Sequence, residues 1–169
     1  MVLKVLLITV IIVAGYHDLK CRRIPNWLIL FGLVTGFVLQ GVSGGFLALD
    51  DALLGWLLGM ALLMIPFILR GMGAGDVKLL GVVGALQGWV FVVNSFLWMA
   101  VWGGIMAFIA LVASGKIQIL VLQLAASYYP PWQVKVALLK SKTSVEKVTI
   151  PYGVAIGLGV ISSMIWVWW

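Results

Sequence analysis

Long apolar stretches punctuated by a few polar breaks organise this chain, and the breaks predict its elements. Val2 to His17 is apolar except for Lys4, Thr9 and His17, and a basic run at Lys20, Arg22 and Arg23 follows it. Ile24-Pro25-Asn26 marks a break, because proline disfavours helix in the residue before it and tolerates a helix start. A second stretch, Trp27 to Val42, runs into Ser43-Gly44-Gly45, a turn sequence. Asp50 and Asp51 are expected to open a third, Ala52 to Leu69, because carboxylates suit a helix N-terminus. Arg70 closes it, and Gly71-Met72-Gly73-Ala74-Gly75 interrupts the pattern before Asp76. A fourth stretch, Asp76 to Leu86, ends at Gln87-Gly88 and spans only about 16 Å, half the hydrocarbon thickness of a bilayer. Val90 to Ala113 is long enough to cross with tilt. Tyr152 to Trp169 forms the last stretch, with Trp166, Trp168 and Trp169 as an interfacial anchor.

The pattern predicts an all-α polytopic membrane protein of about six transmembrane helices, organised as one domain over residues 1–169. Composition agrees, with 64% hydrophobic and 9% charged residues against about 25% charged in soluble domains. The excess of Lys and Arg (11) over Asp and Glu (5) implies no nucleic acid. With alternating spans, Lys20, Arg22, Arg23, Arg70, Lys116, Lys135, Lys140, Lys142 and Lys147 fall on one side and Lys4 on the other. The positive-inside rule makes that side cytoplasmic and puts both termini outside, in a bacterial-type inner membrane. The segment from Lys116 to Lys147, split by Pro130-Pro131, reads as a surface anchor with an amphipathic second half or as a substrate-recognition element. Cys21 is the single cysteine, which excludes an intrachain disulfide framework and a Cys-rich zinc site. The first stretch is a membrane helix and not a cleaved signal, since no small-residue cleavage site ends it.

Ionisable groups at membrane depth are costly and point to function. Asp18 and Asp76 both fall at cytoplasmic ends of their spans, so the topology returns them to one level of the bilayer. Asp50 and Asp51 fall at the opposite face. Two carboxylates that share a site retain one proton between them, and such a pair can activate a water as base while protonating a scissile amide as acid. The alternatives are a solvated Asp18 offsetting its basic neighbours and an Asp76 that only caps a helix. The glycines at 73 and 75 read either as a loop or as backbone that a substrate strand can approach closely.

Gly73-Ala74-Gly75-Asp76, followed by Val77-Lys78-Leu79-Leu80, resembles the GxGD signature of the type IV prepilin peptidases, which are intramembrane aspartyl proteases. Asp18 with Arg22-Arg23-Ile24-Pro25-Asn26 is similar to that family's first-aspartate segment, and Ile150-Pro151-Tyr152-Gly153 matches the segment before its last span. The resemblance implies a GxGD aspartyl protease fold, Asp18 and Asp76 as the catalytic pair, and Gly73 and Gly75 as a platform for the substrate backbone. It implies cleavage of the basic leader of prepilins or pseudopilins at the cytoplasmic face, just before their hydrophobic helix, with no metal or other cofactor. The chain lacks the N-terminal domain of the larger members and its paired CxxC motifs, so N-methylation is not expected. Its size is similar to that of the small peptidases of tight-adherence (Flp) pilus systems.

Lys78 lies two positions after Asp76 and so faces differently on a helix; it reads as a surface lysine or as a group tuning the acid pair. Two rival functions are a proton-coupled small transporter, for which no inverted repeat is evident, and a non-catalytic scaffold for pilus assembly. Nothing in the sequence fixes the oligomeric state.

Overall fold

The computed structural model describes residues 2–21, 23–113 and 152–166. The segment expected to anchor on the surface, Lys116 to Lys147, lies outside the described residues, as do Arg22, Trp168 and Trp169. The described elements are all helices: α1 (Val2–Cys21), α2 (Asn26–Ile68), α3 (Ala74–Gln87), α4 (Trp89–Ala113) and α5 (Tyr152–Trp166). The chain divides into two compact units, Met1–Gly103 with Pro151–Trp169, and Gly104–Ile150. Every candidate site residue belongs to the first.

The 43 residues of α2 form a hairpin and not one rod, because Gly45 inside it adopts φ 63°, ψ −150°, a region closed to residues with a Cβ. The contacts of α3 prove the reversal. Gly32 of the first arm faces Val82 while Gly59 of the second faces Leu80 and Gly81, and Gly36 faces Leu86 while Gly55 faces Gly84. Both arms therefore run along the same stretch of α3 in opposite directions, and Phe37 meets Trp56 between them edge to face at 6.3 Å. The arms, residues 26–44 and 46–68, reach about 28 and 34 Å at helical rise, enough for a hydrocarbon core of about 30 Å.

One expectation is corrected by this hairpin. Asp50 and Asp51 do not open the third stretch but lie inside the helix, since Gly45 alone supplies the reversal and the chain is helical again at once. The first helix likewise runs past His17 to Cys21, so Asp18 lies within it. The short fourth stretch begins earlier than expected, at Ala74, and ends as expected where Gly88 takes φ 83°.

The helix α3 is the centre of the bundle. Leu79, Leu80, Val82, Val83 and Leu86 are fully buried, and the arms approach so closely that a side chain at Gly84 would overlap the Gly55 carbonyl. Between helices in lipid the hydrophobic effect supplies little, so small residues that let backbones touch provide the packing. Gly55 and Gly59, four apart, do this here against the Gly84 and Leu80 carbonyls, while Gly32 makes room for the Val82 side chain. Outward, the arms present apolar side chains such as Leu30, Phe31, Val34, Leu53 and Leu54. Among the described residues, α1, α2 and α4 are long and apolar enough to cross a membrane. This is an all-helical membrane protein.

At the end of α2 the chain stops in a Schellman turn, with the Gly71 N–H donating to the Pro66 carbonyl and the Arg70 N–H to that of Phe67. Arg70 takes the left-handed position, φ 58°, that glycine usually fills.

Candidate active site

Asp18 continues the buried stripe of α1. Leu7, Val10, Ile11 and Ala14 are buried at helical spacing, and Asp18 follows in register at 8% exposure. It is not the solvated partner of its basic neighbours; Lys20 Nζ instead lies over the Tyr16 ring, 5.7 Å from its centroid. Its Oδ2 accepts a buried hydrogen bond from the Gly153 N–H at 2.8 Å. Gly153 stands in the first turn of α5, where the backbone N–H groups have no partner within the helix.

Asp76 is in the first turn of α3 and is 7% exposed. Its Oδ2 accepts the N–H of Gly73, the N-cap residue, at 3.2 Å. Half of a capping box is therefore present; Gly73 has no side-chain oxygen to complete it. Asp76 caps its helix and is buried as well. The capping and active-site readings of Asp76 are thus compatible.

The loop between α1 and α2 closes onto the same end of α3. Ile24 covers Gly75, where an added Cβ would stand 3.1 Å from the Ile24 Cβ, and Lys78 Nζ donates to Asn26 Oδ1 at 3.2 Å. Gly75 thus gives its bare face to the chain's own loop. Gly73 is more open, meeting only Asp76 Oδ2 at 3.4 Å and the Gly75 nitrogen at 3.9 Å. Lys78 is exposed and its ammonium engages Asn26, in the loop that follows α1. Both residues border a cleft of about 370 Å³ whose other walls are Ile29, Leu30, Leu33, Trp56 and Met60.

Three segments distant in sequence therefore converge: Asp18 to Asn26, Gly73 to Lys78, and the start of α5. The family model for type IV leader peptidases matches residues 5–108. The chain belongs to the type IV leader peptidase family. This family member is also 37% identical over 95 residues to the prepilin leader peptidase/N-methyltransferase of Aeromonas hydrophila, a match that covers 52% of this chain and 32% of that protein. The chain thus spans about a third of the curated relative it matches. No solved structure matches it.

The far end of α3 makes a contrast. Asp51 lies beside Gly88 there, and Asp50 is exposed. Of the contacts at the acid end, the sequence reading did not assign Gly153, Ile24 or Asn26 a role. All three are legible as parts of matched motifs, but their partners are not, because each contact joins segments whose register the sequence does not fix.

Proposed function

We propose that this leader peptidase family member cleaves the basic leader of prepilins or pseudopilins, using Asp18 and Asp76 as a catalytic pair. The observation that carries this reading is the pair itself: two buried carboxylates from separate helices, at the ends where the first loop, the glycine loop and the start of α5 come together, in a chain of this family. Each gives Oδ2 to a main-chain N–H, which leaves Oδ1 of each for water and substrate. Like charges confined together retain one proton. The ionised acid draws a proton from water, which attacks the scissile carbonyl, while the protonated acid delivers its proton to the leaving amine. Water and the two acids suffice, and no cofactor enters.

Gly73 serves as the open edge along which an extended substrate strand lies, with Gly75 as the seat of Ile24. Lys20, Arg23 and Arg70 follow or flank the helix ends at the acid level, so the positive-inside rule supports a cytoplasmic active site in a bacterial-type inner membrane, with the N-terminus outside. The substrate's hydrophobic helix remains in the bilayer, and the apolar cleft bordered by Asn26 and Lys78 is the place for its start.

The test is cleavage of a prepilin in proteoliposomes containing wild type, Asp18→Asn or Asp76→Asn, read by mass spectrometry. Wild type should cut one bond before the hydrophobic helix, and neither variant should cut. Uncut substrate with folded wild type would overturn the reading and leave transport or a scaffold role as the next assays.

A further inference from the structure

We infer that Gly153 is a positioning residue for Asp18: its main-chain N–H fixes the carboxylate, and its missing side chain is what allows the start of α5 to close over the acid. The inference rests on the peptidase reading above. Asp18 stands near the C-terminal end of α1, where the aligned carbonyls disfavour negative charge. The N-terminus of α5 offers the opposite environment, an unpaired N–H and the positive end of a helix dipole. The 2.8 Å bond from Gly153 to Asp18 Oδ2 is buried, so little water competes with it, and a bond to an ionised acceptor is stronger than a neutral one.

The steric evidence is independent of that bond. A Cβ on Gly153 would stand 2.9 Å from Asp18 Oδ2, 3.0 Å from its Cβ and 3.1 Å from its Cγ. Three atoms of one side chain block it, so any larger residue must push the acid or the helix away. One turn further along the same interface, Gly157 meets only Ile11 Cγ2 at 3.0 Å, the movable end of an apolar side chain. The two glycines pack the same pair of helices, yet only Gly153 touches the acid.

That difference provides the test. In proteoliposomes, Gly153→Ala should lower kcat about 100-fold, the scale of a misplacement of about 1 Å, and leave KM within about threefold. Gly157→Ala should keep both constants within about threefold of wild type. Wild-type kcat in Gly153→Ala, or an equal loss in Gly157→Ala, would overturn the inference. If Gly153→Ala does not fold, amide NMR of the folded wild type and Asp18→Asn decides. The Gly153 amide proton should resonate downfield in wild type and move upfield in Asp18→Asn; an unmoved resonance would overturn the contact. A folded wild type that leaves prepilin intact would instead sink the peptidase reading itself, and the two failures are thereby distinguished.

Discussion

The two ends of α3 each hold a pair of acids, and the pairs differ in every respect that matters for chemistry. Asp50 and Asp51 are neighbours in sequence, one exposed and one half-buried, at the end where Gly88 turns the chain. Asp18 and Asp76 are far apart in sequence, both buried, and each holds a main-chain N–H. Proximity in sequence therefore says little about which carboxylates are buried and held by main-chain donors. Burial at a point where helix N-termini converge supplies what a pair needs: low solvent access, fixed orientation and donors for the ionised form.

Substitution of each acid breaks or sharpens that contrast most strongly. Asp18→Asn and Asp76→Asn should each lower cleavage about 1000-fold or more, on the scale of general acid–base catalysis. Asp50→Asn and Asp51→Asn should stay within about threefold, measured with the same substrate and vesicles.

The second contrast separates stability from chemistry. Gly88 combines φ 83°, ψ 175° with contact to Asp51, so Gly88→Ala should cost about 1–3 kcal/mol from this glycine-only backbone alone, read as a lower thermal midpoint. Its kcat per folded molecule should remain within about threefold. A large loss of kcat would mean that the far end controls the acids.

Smaller effects test the loop. Lys78→Ala removes an exposed hydrogen bond to Asn26, worth about 1 kcal/mol, and should raise KM or lower kcat only a few-fold without moving either limb of the pH–rate curve. Movement of a limb would favour the tuning role instead. The smallest effect belongs to Arg70→Gly, which should raise stability by up to about 1 kcal/mol, because glycine fits φ 58° without strain.

Much of this was legible in the sequence because the bilayer constrains it so strongly. The apolar stretches gave the helices, Gly45 and Gly88 the breaks, and alternation of spans returned Asp18 and Asp76 to one level. Helix ends were less legible. The apolar pattern puts Asp18 at the edge of a span, yet the spacing of Leu7, Ile11, Ala14 and Asp18 places it on one helical face. Acids favour a helix start, which points to Asp50 and Asp51, but Gly45 supplies the reversal earlier. The contacts of Gly153 with Asp18 and Ile24 with Gly75 were not legible. They depend on how far one helix slides along another, and glycine seams permit several registers until all of them pack at once.

The most direct test of a shared proton is the dependence of cleavage rate on pH, measured in proteoliposomes with saturating prepilin. A pair that must hold one proton gives a rate that rises and then falls, with two apparent pKa values belonging to the pair and not to either residue. A flat profile across the acid and neutral range, with folded protein throughout, would contradict the account.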